Sequence, residues 1–357
     1  MSRFFSEKYN ALQAYTPGEQ PKDMQYVKLN TNESPFPPSK KAKEYAAKAL
    51  DRLQLYCDPE CTALTKEFAK LYGIGEDEVV FTNGSDDALN FCFMAFCDRD
   101  TGAAFPDITY GFYPVFARLN GVDYQEIPLR DDFTINVDDY IGVNKTIFIA
   151  NPNAPTGIAL ILDDIERILQ GNPYNIVVID EAYVDFGAQS AVGLIHSYDN
   201  LIVTQTFSKS RSLAGGRLGM AIANRDLIRD LNTIKYSTNP YNINTVTQAA
   251  GVGTLLDDEY IRRCCATIAD NRVYLTEKLG ELGFVCTPSV SNFVFAKHPS
   301  LDGGMLYRRL KEKGVLIRHF DKPRLYDHNR ITVGTKEQID VLIEKIKEIT
   351  EEQHEDR

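Results

Sequence analysis

Between residues 78 and 204, apolar side chains recur in short unbroken runs: EVVFT at 78–82, TIFIA at 146–150, NIVVID at 175–180 and LIVT at 201–204. Unbroken runs of this length suit strands covered on both faces, because a half-exposed strand alternates instead. Residues 101–105 and 122–127 read as further strands, and a helix is predicted over 85–97. Strands alternating with helices imply an open α/β domain with a mostly parallel sheet, whose working edge is the carboxyl ends of its strands. Downstream the pattern changes. Helical spacing runs from 257 to 282, short strands are predicted at 292–296, 314–318 and 330–333, and a helix closes over 337–351. A turn-rich arm and a helix over 40–53 begin the chain. Three parts follow: an arm and helix over 1–55 that pack with the small domain, a large domain over 56–250, and a smaller α+β C-terminal domain over 251–357.

Composition narrows the classes. A formal net charge of −11 speaks against nucleic acid or an anionic membrane surface as partner, since both select a basic face. No apolar run reaches the ~20 residues of a membrane span, and MSRFFSEKYN at the start lacks the apolar stretch of a signal peptide. A cytoplasmic protein is expected. The 7 cysteines have no disulfide-framework spacing and read as reduced packing thiols. Cys57 and Cys61 could form half a metal site, but no second pair follows and the histidines form no HExxH motif. No metal is expected.

Chemistry gathers at the strand ends. EVVFT is followed by Asn83-Gly84-Ser85-Asp86, TIFIA by NPNAPTG, NIVVI by Asp180-Glu181-Ala182-Tyr183, and LIVTQTF by Ser208-Lys209. A glycine turn opening a helix offers backbone N–H groups to an anion. Thr206, Ser208 and Arg217 could complete a phosphate cradle. A desolvated lysine loses part of its preference for the charged form and can join a carbonyl as a Schiff base. A carboxylate facing a pyridine nitrogen keeps that nitrogen protonated and makes the ring an electron sink. Phosphate cradle, lysine and carboxylate together describe pyridoxal 5′-phosphate.

The chain resembles the fold-type-I pyridoxal-phosphate-dependent aminotransferases, and within them the histidinol-phosphate aminotransferase family. The resemblance runs almost end to end, through AYTPGEQP (14–21), KLNTNESPFPPS (28–39), LYCDPECTAL (55–64), TNGSDDAL (82–89), TYGFYP (109–114), NPNAPTG (151–157), DEAY (180–183), TFSKSRSLAGGRLG (206–219), NPYNIN (239–244) and RITVGT (330–335). It implies that Lys209 carries the cofactor and shuttles the proton, that Asp180 pairs with the ring nitrogen, and that Tyr183 donates to the ring's phenolic oxygen. By the same resemblance Tyr110 stacks on the ring, while Ser85, Asp86, Thr206, Ser208 and Arg217 hold the phosphate. Tyr56 would reach the phosphate in a neighbouring subunit, which implies a homodimer with shared active sites. Arg330 would bind the substrate's anionic group, with Tyr15, Asn32, Tyr241 and Arg318 lining the substrate pocket.

One position departs from the family pattern. An asparagine normally precedes Pro-Thr-Gly and bonds the phenolic oxygen, whereas this chain has Ala154. Asn153 is the candidate replacement, and the Ala154–Pro155 bond is a candidate cis peptide. The implied reaction passes an amino group between L-histidinol phosphate and 2-oxoglutarate, with glutamate as the other amino compound. Arg330 could face phosphate or carboxylate in turn. L-threonine-O-3-phosphate decarboxylase and aromatic amino acid aminotransferases are the alternatives on the same fold. A DNA-binding regulator built on this fold is disfavoured, because no helix-turn-helix pattern precedes the α/β region.

Overall fold

The computed structural model describes residues 2–10 and 12–355. Its strands are β1 (Val27–Lys28), β2 (Val79–Thr82), β3 (Ala103–Pro106), β4 (Tyr124–Ile127), β5 (Thr146–Ala150), β6 (Val177–Asp180), β7 (Leu201–Thr206), β8 (Gly219–Ala223), β9 (Val285–Cys286), β10 (Phe293–Lys297), β11 (Val315–Leu316), β12 (Arg318–His319) and β13 (His328–Thr332). The helices are α1 (Lys40–Ala49), α2 (Thr62–Tyr72), α3 (Ser85–Phe96), α4 (Tyr113–Asn120), α5 (Leu162–Gly171), α6 (Arg225–Thr238), α7 (Thr245–Leu255), α8 (Asp258–Glu281), α9 (Gly303–Glu312) and α10 (Lys336–Glu355).

Seven strands form the large sheet in the order β2-β8-β7-β6-β5-β3-β4. The pairs among β3 to β7 are parallel, and β8 alone runs against its neighbours β7 and β2. Two reversals leave β2 parallel to β7, so Thr82, Ala150, Asp180 and Thr206 all end at one edge. The apolar runs have their cause in layers on both faces. Ile147, Ile149, Ile179 and Val203 pack into one layer, and Phe148, Val178, Ile202 and Ala221 into the other. Strand β8, GMAIA, was absent from the sequence expectation because its small residues read as an extension of the preceding glycine turn.

A four-stranded antiparallel sheet, β12-β13-β10-β9, forms a second core with α8, α9 and α10. The expected strand over 314–318 divides into β11, which pairs in parallel with β1, and β12, which pairs with β13. The N-terminal segment is thus stitched into the smaller lobe through β1, while α1 approaches α7 so closely that a Cβ on Gly253 would lie 2.4 Å from the Lys41 carbonyl oxygen. Among the described residues no helix is long and apolar enough to cross a membrane.

Gly219 lies between the ends of β2 and β7, opposite Thr82 on one side and Thr206 on the other. A Cβ there would lie 2.2 Å from the Ser85 backbone nitrogen. Gly219→Ala is therefore expected to destabilise the fold by about 1–3 kcal/mol through overpacking, lowering the urea midpoint at an unchanged slope. Gly193→Ala, which has open space around the added methyl, should leave the midpoint in place.

Candidate active site

Two cavities meet at the carboxyl edge of the large sheet. One, of about 490 Å³, is lined by the strand-end residues Ser85, Asp86, Asp180, Thr206, Ser208 and Arg217. The other, of about 520 Å³, opens between the lobes against Tyr15, Asn32, Arg318 and Arg330. Tyr110, Ala154, Tyr183 and Lys209 line both. A larger hollow of about 640 Å³ lies against Tyr72, Asp185 and Arg211, but it contains none of the strand-end groups.

The first cavity is built for an anion at one end. Gly84 precedes α3 with φ of 83°, and a Cβ there would come within 2.4 Å of Arg217 Nη2. Only glycine lets the guanidinium lie against the start of that helix. Arg217, itself left-handed at φ 52°, reaches Asp86 Oδ2 at 3.1 Å. Tyr110 donates its hydroxyl to Asp86 Oδ1 at 2.7 Å. Asp86 was expected to hold phosphate, yet its carboxylate is an acceptor and would repel one. It orients Arg217 and Tyr110, which leaves its backbone N–H as the part suited to an anion. On the adjoining strand end, Thr206 Oγ1 donates to Ser208 Oγ at 3.0 Å and accepts from the Ser208 N–H at 3.1 Å.

At the end of β6, Asp180 is only 4% exposed. Its Oδ2 accepts from the Tyr113 hydroxyl at 3.1 Å, and its Oδ1 accepts from Thr204 Oγ1 at 3.2 Å and the Ala182 N–H at 3.3 Å. Burial pushes its carboxyl up to about 6, against the pull of the Tyr113 hydrogen bond. A buried carboxylate without a cation is costly, and a protonated ring nitrogen would offset that cost. Glycine cradle, hydroxyls, guanidinium and cation-seeking carboxylate fit a phosphate-bearing pyridine ring.

Lys209 Nζ donates to the Thr31 carbonyl oxygen at 3.2 Å and lies 5.9 Å from the centre of the Tyr183 ring. The Tyr183 hydroxyl accepts from Asn32 Nδ2 at 3.0 Å, and no described residue takes its proton, so that proton is available to a ligand. Asn32, expected to line the substrate pocket, does so as a clip. Its Oδ1 and N–H bond Thr332 Oγ1, each at 3.0 Å, and its carbonyl accepts from Asn292 Nδ2 at 2.9 Å.

The second cavity is cationic. Arg118, Lys209, Arg318, Lys322 and Arg330 line it, and no aspartate or glutamate does among the described residues. Arg330 and Arg318 are direct cross-strand partners in the β12–β13 pair. Arg330 donates Nη2 to the Asn30 carbonyl at 2.9 Å, while its buried Nε has no partner. Its guanidinium lies 5.3 Å from the Phe293 ring centre and 5.8 Å from that of Phe320, and burial lowers its pKa. Tyr15 stacks on Phe112 with centroids 4.1 Å apart. Its hydroxyl is raised by burial, partly countered by Arg318 and Arg330.

Two expectations need correction. Asn153 does not replace the missing asparagine: its Oδ1 accepts from Thr109 Oγ1 at 2.9 Å, and its Nδ2 donates to the Ile108 carbonyl and Thr156 Oγ1. The turn itself consumes that amide, and the methyl of Ala154 meets the cavity instead. Both Asn151–Pro152 and Ala154–Pro155 are cis. Tyr241 lines neither cavity of its own chain. It stacks on Tyr56 with centroids 4.7 Å apart at the surface, where Tyr56 is 84% exposed.

Residues that were not singled out also matter. Thr204 shares a strand face with Thr206, so the two-residue period could have found it. Tyr113 lay inside the quoted TYGFYP motif, but nothing local tied its hydroxyl to Asp180. Thr31 and Thr332 act through distant contacts that no local pattern reports.

The sequence profile for aminotransferase class I and II matches residues 24–346. A histidinol-phosphate aminotransferase of Brachyspira hyodysenteriae is 49% identical over 355 residues, covering 98% of this chain and 99% of the relative. One from Acinetobacter baumannii is 48% identical over 350 residues, covering 97% of each. The crystal structure of histidinol-phosphate aminotransferase from Sinorhizobium meliloti, in complex with pyridoxal 5′-phosphate, superposes with a TM-score of 0.84 at 22% identity, over 91% of this chain and 92% of that one. That last likeness speaks to the fold, and the two sequence relatives speak to the kind. The chain belongs to the class I and II aminotransferases, the pyridoxal-phosphate-dependent transaminases, in the branch of the histidinol-phosphate aminotransferases.

Proposed function

We propose that this chain moves the amino group of L-histidinol phosphate to 2-oxoglutarate, giving imidazole acetol phosphate and L-glutamate. The observation that carries the reading is the carboxylate-free cavity beside Lys209, where Arg330 keeps an unpartnered buried Nε opposite Arg318. Paired guanidiniums without a counter-ion call for a polyanionic ligand. Both a phosphate monoester and a dicarboxylate answer that description, as an exchange of two substrates through one site requires.

Pyridoxal phosphate, when bound, supplies an electron-withdrawing ring that stabilises negative charge at the substrate's α-carbon. The chain's own groups do the rest. Asp180 would hold a proton at the ring nitrogen. The Tyr183 O–H, steadied by Asn32, would donate a hydrogen bond to the ring's phenolic oxygen, with no second donor from position 154. Ser85, Thr206, Ser208, Arg217 and the backbone at Asp86 would hold the phosphate, and the Tyr110 ring would stack on the cofactor. Lys209 Nζ would take the proton from the substrate α-carbon and pass it to C4′ within the same half-reaction, ending with the protons it began with. Arg330, with Arg318 and Tyr15, binds the substrate's anionic group and so fixes which α-carbon bond faces the lysine.

A homodimer belongs to the same reading. Leu50, Leu53 and Leu55 are exposed alongside Tyr56, an apolar edge suited to a second copy of the chain. Across it Tyr56 reaches the phosphate of the neighbouring site, and Tyr241 travels with it. The three-part domain division belongs to the same proposal, except that only β1 of the N-terminal part joins the smaller lobe while α1 packs on α7 beside the large-sheet core. The cytoplasm suits the seven unpaired cysteines.

Purified holoenzyme should lose the visible absorbance of its bound cofactor on adding L-histidinol phosphate alone, and 2-oxoglutarate should restore it. A band indifferent to histidinol phosphate would overturn the substrate and favour threonine phosphate or an aromatic amino acid. Arg330→Ala should raise KM for histidinol phosphate and for glutamate alike, each by about 30-fold or more; a loss confined to one of them would refute shared use.

For Asp180, burial raises the carboxyl from 3.8 to about 6, so the folded apoprotein binds this proton more tightly than the unfolded chain. The penalty is absent below about pH 4, grows as pH rises through the interval, and is complete above about pH 6. Cofactor-free Asp180→Asn should therefore exceed the wild type in stability by up to about 3 kcal/mol at pH 8 and lose that advantage at pH 4, as read by urea unfolding. An equal difference at both pH values would contradict the burial account.

A further inference from the structure

The buried stripe of α6 runs through Leu227, Ile228 and Leu231 to Lys235. Helical periodicity calls for an apolar side chain at this last position, yet a lysine sits there at 2% exposure. Among the described residues no carboxylate lies within ion-pair reach of its Nζ, which donates to one acceptor, the Pro59 carbonyl oxygen, at 2.7 Å. Burial lowers its pKa, opposed by the neighbouring Cys61, Cys57, Asp58 and Glu60. Such a group is expensive to keep, and packing alone would be better served by leucine or methionine.

Pro59 belongs to the segment 57–61, which forms no regular element and is tied down at separate points. Besides Lys235, Gln248 of α7 donates Nε2 to the Asp58 carbonyl at 2.8 Å, and Cys57 Sγ lies 4.0 Å from the Tyr241 carbonyl. Immediately before this segment stands Tyr56, projecting from the surface and stacked on Tyr241, which follows α6. α6 therefore governs both rings, one through the Lys235 tether and the other through the chain that leaves its end. A polar tether fixes the direction of a carbonyl, which an apolar contact does not.

We propose that Lys235 is a positioning residue for the partner subunit's cofactor site: by holding Pro59 it sets the direction in which Tyr56 leaves its own subunit. The inference rests on the shared-site reading above. It requires that Lys235 act in trans, on the site its own chain does not contain.

Hybrid dimers test this, with cofactor affinity at the single intact lysine read by titrating apoprotein and following visible absorbance. In one hybrid, Lys235→Met is placed in the Lys209→Ala subunit, so the altered arm faces the intact site. In the other, Lys235→Met is placed in the subunit that keeps Lys209. Affinity should fall about fivefold in the first, the scale of one lost hydrogen bond, and stay at the wild-type value in the second. Equal loss in both hybrids, or loss in neither, overturns the proposal. Tyr56→Phe in the same two arrangements separates the layers. If it has no effect in trans, the shared site itself is wrong. If it weakens binding in trans while Lys235→Met does not, only the role of Lys235 falls. Should Lys235→Met fail to assemble, Lys235→Gln, too short to hold Pro59, is read in the same way.

Discussion

Arg318 and Arg330 face each other across neighbouring antiparallel strands, an arrangement that destabilises a sheet unless something offsets the like charges. The fold offsets part of it with a backbone carbonyl from Asn30 and the faces of Phe293 and Phe320. Among the described residues it supplies no carboxylate within ion-pair distance of either guanidinium. Asp86 and Asp180 line the adjoining cavity and are absent from this one, while Lys209 belongs to both. Acidic side chains are thus sorted into the first cavity, where Asp86 holds Arg217 and Asp180 faces the place of a cationic ring, and kept out of the second, where an anionic substrate is wanted. Carboxylates in the second cavity would have paired with Arg318 and Arg330 and left no guanidinium for a ligand.

The sheet makes this sorting possible through its two-residue period. Asp180 turns toward the cavity and Glu181, the next residue, turns away into a separate polar network. Glu181 accepts from Ser190, the Ala191 N–H and Gln205, and Gln205 accepts from the Tyr72 hydroxyl. Tyr72 is bonded by Arg211, whose guanidinium also meets Asp185, and Asp185 accepts from Ser210. The residues that flank Lys209 on its C-terminal side are therefore held by a continuous chain of hydrogen bonds behind the sheet. The lysine is presented from a rigid support although it lies in a turn.

Much of this was legible in the sequence. Strands buried on both faces declare themselves as apolar runs, and the groups that follow such runs are the ones the fold gathers, which is why Ser85, Asp180, Thr206 and Lys209 could be named in advance. At two positions a competing contact displaced a side chain from its expected role. Asn153 stands one residue from the vacant donor position, but Thr109, Ile108 and Thr156 claim its amide first. Tyr241 carries a family-like motif, yet stacking on Tyr56 draws it to the surface. Asn32 was assigned to the right cavity, but its clip on Tyr183 depends on partners brought in by tertiary contacts. β8 was hidden because GMAIA follows the glycine turn directly and its glycine and two alanines carry little strand propensity.

The Asn32 clip has a consequence in time. Asn32 and Thr332 are separated by 300 positions along the chain, and closing so long a loop is among the slower steps available to a folding polypeptide. Strand pairing in the large sheet and the burial of Asp180 need only residues up to Ala223. On a ribosome, where a chain emerges from its N-terminus, those contacts can form while Thr332 is still unmade. The orientation of Tyr183 by its amide partner waits for the smaller lobe. Catalytic competence therefore waits on residues made long after the large sheet is complete.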